Sequence, residues 1–253
     1  MARVTFTPQP LEVLTVPARE KHTATVIFVH GLGDSGHSWQ RLADSLTRDP
    51  ELQHIKYIFP HAPVMAITAN FGMRMPAWYD VVSFKSTAPE DNDDFGMLRS
   101  MASLGALVER EVTAGIPPDR IVFGGFSQGA AMTLLTGLSY EHKLGGLIVM
   151  SGRLRLGKKV KLLLHASNIH TPIFWGHGRN DPLVTYEMGM WSIQYMRTEY
   201  GLTDADPDAP EKGGLALHIY DAVHTVPDEE LEDVKEWVKR VLPARQAVVS
   251  AQG

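Results

Sequence analysis

Six short, predominantly apolar runs recur along the chain and alternate with longer stretches of helical character. Continuous apolar runs are typical of strands covered on both faces, as in a parallel sheet between helices. The runs cover 25–29, 55–59, 121–124, 146–150, 172–175 and 216–220, and the helical stretches cover 37–48, 95–114, 128–140, 187–200 and 228–241. This alternation predicts one α/β domain over residues 1–253, with a mostly parallel central sheet flanked by helices.

The N-terminal residues and two later segments need separate treatment. Residues 4–17 are predicted to add an antiparallel edge hairpin. Residues 61–94 and 153–171 are long and have no clear period. Long irregular segments in a compact domain are often lids or binding loops, so we predict that role for these two. In α/β sheets the site lies at the carboxyl ends of the strands, and the turns there carry the candidate residues.

Composition excludes several function classes. The net charge of −5 and the lack of a large basic region argue against nucleic acid as a partner. The chain has no cysteine, which excludes disulfides, a thiolate nucleophile and cysteine zinc sites. No HExxH-like spacing is present, so no metal site is predicted. No signal peptide or transmembrane run is recognisable, and we expect a cytosolic location, with a nuclear one also open.

The strongest functional motif is Gly125-Phe126-Ser127-Gln128-Gly129, which follows an apolar run and precedes a helical stretch. In this strand–turn–helix context, G-x-S-x-G predicts a nucleophile on a strained turn, with Ser127 as the attacking residue. Glycines two positions away on either side avoid a clash in that turn. The alternative is a glycine-rich turn that matches the motif by chance.

A serine nucleophile needs a base, and the order serine, acid, histidine limits the candidates. His224 follows the last strand run and is predicted to be the base, whereas His218 lies inside that run. Asp181 follows the preceding run and is predicted to orient His224. Asp221 is the rival acid because it is only three residues from His224. An Asx-type turn before proline would also explain Asp181.

An oxyanion hole requires two backbone amides. One is expected from Gln128, directly after the nucleophile. The other is expected from Leu32, in the glycine-rich turn 30–36 that follows the first predicted strand of the parallel sheet. His30 precedes the serine in sequence, and we predict that it shapes this turn and does not act as the base.

Six segments together resemble the acyl-protein thioesterase and lysophospholipase-like carboxylesterases, a family with the α/β-hydrolase fold. They are VIFVHGLGDSGHSW (26–39), FPHAP (59–63), MPAWYD (75–80), GGFSQGAAM (124–132), GHGRNDPLV (176–184) and VHTVPDEELEDVKEW (223–237). The sequence looks most similar to fungal members. The resemblance implies an enzyme without a cofactor that removes palmitoyl groups from proteins and also cleaves lysophospholipids and short esters. It places Ser127, Asp181 and His224 on the triad positions and Leu32 and Gln128 on the oxyanion positions.

The partners expected from this resemblance are acylated proteins or lipid-like acyl esters, with transient contact to a membrane surface and a monomer or weak dimer. Residues 64–84 are rich in apolar and methionine side chains, and we predict that Met73, Met75 and Trp78 line an acyl channel. Packing of this segment onto the core is the alternative. After the motif MSG the family usually carries apolar residues with Pro-Leu, whereas this chain has Arg153-Leu154-Arg155-Leu156, which makes its substrate preference open.

Two other functions remain as alternatives. One is a general carboxylesterase for small esters without a protein substrate, which would use the same active-site residues. The other is a catalytically inactive hydrolase fold that binds lipid, which would be expected to lose a triad residue or a turn glycine. All of these are present here.

Overall fold

A computed structural model describes residues 6–84, 93–156 and 159–245 of the chain. The described strands are β1 (Val13–Val16), β2 (Ala24–Val29), β3 (Ile55–Pro60), β4 (Val64–Ile67), β5 (Met73–Pro76), β6 (Ile121–Phe126), β7 (Gly146–Met150), β8 (Pro172–Gly178) and β9 (Gly214–Tyr220). Seven of them form a sheet in the order β1-β3-β2-β6-β7-β8-β9, in which only the edge strand β1 is antiparallel to its neighbour. The predicted mostly parallel sheet is confirmed.

Helices cover both faces of this sheet. They are α1 (Gln40–Leu46), α2 (Asp94–Thr113), α3 (Gln128–Ser139), α4 (Val160–Leu163), α5 (Tyr186–Tyr200) and α6 (Asp228–Val241). One apolar cluster joins the sheet to α2, α3 and α5, and a second joins the opposite face to α1 and α6. The continuous apolar runs follow from this arrangement, because a central strand such as β2 is buried at every position.

The N-terminal segment forms a single edge strand and not the predicted hairpin. Strand β1 pairs with β3, with Val13 opposite Pro60 and Val16 opposite Tyr57. Residues 6–12 have no strand, and residues 4 and 5 of the prediction lie outside the described part of the chain. The paired residues are thus 41 to 47 positions apart in sequence, a separation that a local pattern could not reveal.

The irregular segment 61–94 contains a small antiparallel hairpin of β4 and β5 that the sequence did not predict. Residues 85–92 of this segment and 157–158 of the segment 153–171 are outside the described residues. The second segment includes the one-turn helix α4. Within the described ranges, no helix is both long and apolar enough to cross a membrane.

Candidate active site

Ser127 occupies a strained turn between β6 and α3. Its backbone has φ 55° and ψ −113°, a conformation that a side-chain-bearing residue rarely adopts. A Cβ atom added to Gly125 would lie 2.5 Å from the carbonyl carbon of Gly129, and one added to Gly129 would collide with the backbone of Val29. The two glycines are therefore required for the turn that projects Ser127 beyond the sheet.

The structure brings the three predicted catalytic side chains together. Ser127 Oγ lies 2.9 Å from His224 Nε2, and His224 Nδ1 lies 2.6 Å from Asp181 Oδ2. His224 comes from the loop between β9 and α6, and Asp181 from the loop after β8, so both follow parallel strands. The Phe126 ring packs beside the imidazole with ring centroids 4.7 Å apart. This geometry suits proton transfer from Ser127 to His224.

Asp181 is built to remain an anion that faces His224. Its other carboxylate oxygen accepts hydrogen bonds from the backbone amides of Leu183 (2.8 Å) and Val184 (2.9 Å). Burial by itself raises the pKa of Asp181, but the hydrogen bond and charge of His224, together with these two amides, lower it overall. The rival Asp221 is exposed and accepts a hydrogen bond from the Asn180 side chain at 2.7 Å.

The two predicted oxyanion amides belong to residues that line the same cavity as Ser127. Gln128 is the first residue of α3, where backbone amides have no partner within the helix. Leu32 lies in the turn after β2. Amides at these positions can stabilise negative charge that develops on the substrate oxygen during acyl transfer.

The Gln128 side chain has a second role that the sequence reasoning missed. Its Oε1 accepts from the backbone amide of Trp78, and its Nε2 donates to the Tyr79 carbonyl, both at 2.8 Å. The side chain thus fixes the 78–79 backbone against the nucleophile turn. The sequence signal that could have revealed this role is the amide side chain directly after the serine, because an amide can donate and accept hydrogen bonds at the same time.

His30 has the structural role predicted for it. It is fully buried, its Nε2 accepts from the Ala62 amide at 3.0 Å, and its Nδ1 donates to the Gly31 carbonyl at 2.7 Å. Burial is the main cause of its lowered pKa, so the ring stays neutral. With both nitrogens engaged, His30 holds the turn after β2 and has no free position to act as a base.

A cavity of about 330 Å³ opens at Ser127. Fifteen described residues line it: Gly31, Leu32, Asp34, Tyr79, Val81, Phe84, Phe126, Ser127, Gln128, Ala131, Arg153, Arg155, Leu183, Val184 and His224. Both irregular segments contribute to this wall, 61–94 through Tyr79, Val81 and Phe84 and 153–171 through the two arginines. The described residues contain no group of three side chains suited to hold a metal ion.

The structure does not bring the predicted acyl-channel residues to this cavity. Trp78 is fully buried in the core, where its Nε1 donates to the His30 carbonyl at 2.8 Å. Met75 is partly buried and packs against the same core, whereas Met73 is 60% exposed on β5. Trp78 and Met75 therefore follow the alternative prediction, in which this segment packs onto the core.

Comparison with known proteins places this geometry in a family. Residues 12–242 match the model of the Phospholipase/Carboxylesterase family. Acyl-protein thioesterase 1 of Cryptococcus neoformans is 39% identical over 93% of this chain and 99% of its own length. Acyl-protein thioesterase 1 of Neurospora crassa is 40% identical over 91% of each chain. The crystal structure of Arabidopsis thaliana SOBER1 superposes with a TM-score of 0.76 at 28% identity, over 87% of this chain and 99% of that one. The chain belongs to the Phospholipase/Carboxylesterase family of α/β hydrolases.

Proposed function

We propose that this protein is a serine hydrolase of acyl thioesters and esters, and that its main reaction is the removal of palmitoyl groups from S-acylated proteins. The observation that carries the chemistry is the continuous hydrogen-bonded chain from Ser127 through His224 to Asp181, of which Ser127 and His224 line a cavity. The thioester substrate is supported by the names of the fungal relatives, which match along nearly their whole length.

The side chains divide the reaction between them. Ser127 Oγ attacks the acyl carbonyl while His224 Nε2 accepts its proton, and Asp181 stabilises the imidazolium that forms. The amides of Leu32 and Gln128 donate to the oxyanion. His224 then gives its proton to the departing thiol or alcohol, which leaves an acyl group on Ser127. A water molecule, activated by His224 in the same way, releases the acid.

A series of matched oxyesters and thioesters with acyl chains of two to sixteen carbons tests the substrate proposal. Each methylene buried in the protein contributes about 0.8 kcal/mol, so kcat/KM should climb with chain length until the binding surface ends. The thioesters should continue to turn over at sixteen carbons, and an S-palmitoylated peptide should be cleaved. A profile that peaks at two to four carbons would contradict the depalmitoylation proposal.

A profile that peaks at two to four carbons would support the alternative function, a carboxylesterase for small esters. Two observations favour this alternative. The cavity measures about 330 Å³, near the lower end for ligand sites, and Met73, Met75 and Trp78 do not line it. Hydrolysis of the short esters with no cleavage of palmitoylated peptide would establish this alternative.

Access to membrane-bound substrates is a further part of the proposal. The β4–β5 hairpin exposes Phe71 completely in its turn, and Val64 (54%) and Met73 (60%) on its two strands are also exposed. We expect these side chains to give transient contact with a membrane surface. Co-sedimentation with phosphatidylcholine vesicles should weaken in Phe71→Ser and be unchanged in Leu162→Ser, an exposed leucine far along the chain. Equal binding by both variants would contradict this contact.

The proposal includes a cytosolic location, with a nuclear pool also open, and a monomer or weak dimer. Imaging of a tagged chain tests the location, and light scattering over a range of concentrations tests the assembly. Accumulation in a secretory compartment, or a stable higher oligomer at low concentration, would contradict these two parts.

A further inference from the structure

His177 is a buried histidine close to the catalytic acid that takes no direct part in the reaction. It lies near the end of β8, four residues before Asp181, and none of its surface is exposed. Burial of a polar ring costs free energy unless its hydrogen bonds compensate for the lost water. The contacts of this ring therefore indicate what it does.

The His177 ring holds the far end of the turn that carries Asp181. Its Nε2 donates to the carbonyl oxygen of Val184 at 2.8 Å. The backbone amide of Val184 donates to Asp181 Oδ1 at 2.9 Å, and Asp181 Oδ2 faces His224 Nδ1 at 2.6 Å. Val184 thus connects the buried ring to the catalytic acid.

The near end of the same turn is held by backbone contacts that do not involve His177. The amides of residues 179–180 donate to the carbonyls of Tyr220 and Ala222, at 2.8 and 3.0 Å respectively. These carbonyls belong to the end of β9 and to the loop that carries the catalytic base. Asp181 therefore lies between two anchors, and the anchor beyond it depends on a side chain.

The glycine at position 189 of α5 leaves room for this ring. A Cβ atom added to Gly189 would lie 2.8 Å from both Cε1 and Nδ1 of His177. Burial is the main cause of the lowered pKa of His177, so the ring is neutral at pH 7. Because Nε2 carries the proton, Nδ1 is bare, and it has no hydrogen-bond partner among the described residues. The one donor of the ring is thus used on Val184.

We propose that His177 is a positioning residue for the acyl transfer, which acts through Asp181 by holding Val184 at the far end of the turn. Without its hydrogen bond the turn can shift, and the carboxylate then moves relative to His224. A displacement of about 1 Å near a catalytic group can cost about a hundredfold in rate. This inference rests on the proposed hydrolase function and adds a supporting residue to its site.

Two substitutions at His177 separate its hydrogen bond from its bulk. His177→Leu removes the donor, whereas His177→Gln keeps an N–H group at about the reach of Nε2. His54→Leu is the matched control, because His54 is also buried and its Nε2 donates to the Leu242 carbonyl at 3.0 Å. His54 precedes β3, at the edge of the sheet opposite Ser127. The quantity measured is kcat on 4-nitrophenyl butyrate per folded molecule, with the folded fraction taken from circular dichroism.

A second pair of variants displaces the ring without removing it. Gly189→Ala would force the His177 ring to move, since the two would collide. Gly105→Ala in α2 is the matched control, because an added Cβ there meets nothing within 4 Å. Both changes place alanine in a helix, so their difference reports on the ring.

We expect His177→Leu and Gly189→Ala to lower kcat by about ten- to hundredfold and His177→Gln to recover most of that loss. His54→Leu and Gly105→Ala should keep kcat close to that of the wild type, even where the melting temperature falls.

The measurement that separates positioning from general structural support repeats His177→Leu in the Asp181→Asn background. If His177 acts through the carboxylate, its loss should cost little there, because the interaction that it supports is already gone. A merely structural role would lower kcat by the same factor in both backgrounds.

An equal loss in both backgrounds would overturn this inference while the hydrolase function stands. So would wild-type kcat in His177→Leu or Gly189→Ala, or a His177→Gln variant no more active than His177→Leu. If the wild type does not hydrolyse the ester, the proposed function fails and the inference fails with it.

Discussion

Glu230 is a buried carboxyl that should make the stability of this protein depend strongly on pH. It is 1% exposed near the start of α6, and neither of its oxygens has a hydrogen-bond partner among the described residues. It packs directly over Gly176 of β8, where an added Cβ would meet the carboxyl group. Burial, and to a smaller extent the charge of Asp233, raise the pKa of Glu230 from 4.5 to about 8.

The sign of the effect follows from linkage. Because the folded-state pKa is raised, the folded protein binds a proton that the unfolded chain releases, and stability falls as pH rises from 4.5 to about 8. Each pH unit in this window costs about 1.4 kcal/mol, so the penalty at pH 7 is about 3 kcal/mol. Below pH 4.5 the group is protonated in both states and contributes no such penalty.

Glu230→Gln has nearly the same shape but cannot ionise, so it should remove this penalty. Relative to the wild type, its melting temperature should be similar near pH 4.5 and higher by about 6–12 °C at pH 7, at about 2–4 °C for each kcal/mol. Thermal unfolding across pH 4.5 to 8 measures this, with the exposed neighbour changed in Glu229→Gln as control. A Glu230→Gln difference that does not grow with pH would refute the reasoning.

Two further predictions concern the catalytic site and its support. Asp181→Asn should lower kcat by about 10⁴-fold, because the amide favours the wrong tautomer of His224. Asp221→Asn should leave kcat nearly unchanged. If a kinetic assay shows the larger loss in Asp221→Asn, Asp221 is the acid. Trp78→Ala should destabilise the fold by about 3–5 kcal/mol and lower activity on short and long acyl chains alike, since Trp78 is a fully buried core residue. A loss confined to long chains, at unchanged melting temperature, would instead restore Trp78 to an acyl channel.

The sheet and the nucleophile turn could be predicted because their signals are local. Strands β2, β6 and β7 are almost wholly buried, so their sequences are unbroken apolar runs. The glycines around Ser127 are set by backbone collisions that any residue with a side chain would cause. Because the carboxyl ends of parallel strands lie at the same edge of a sheet, the acid and the base could be sought in the loops that follow the later strands.

The β4–β5 hairpin was missed because its strands have little buried surface. Val64 and Met73 are more than half exposed, so no alternation of apolar and polar residues marks the pair. The assignment of Trp78 to the cavity was wrong for a related reason. An apolar composition shows that a segment is buried, but only the burial of the Trp78 ring and the hydrogen bond from its Nε1 to the His30 carbonyl show on which side of the backbone the ring lies.

The arginines at the cavity illustrate the same limit. Alternation of Arg153, Leu154, Arg155 and Leu156 is visible in the sequence and implies that the two arginines share a face. That this face turns towards Ser127 depends on how the segment after β7 packs against α5, which is a contact between distant parts of the chain.

The central claim is that Ser127 is the nucleophile, activated by His224. The most direct measurement treats the protein with a serine-reactive fluorophosphonate and locates the adduct by mass spectrometry, alongside turnover of a neutral acyl ester. We expect a single adduct at Ser127, and we expect Ser127→Ala to lose labelling and about 10⁴–10⁶-fold in kcat while its melting temperature stays close to that of the wild type. Labelling at another serine, or a Ser127→Ala variant that keeps a tenth of wild-type activity, would contradict the account.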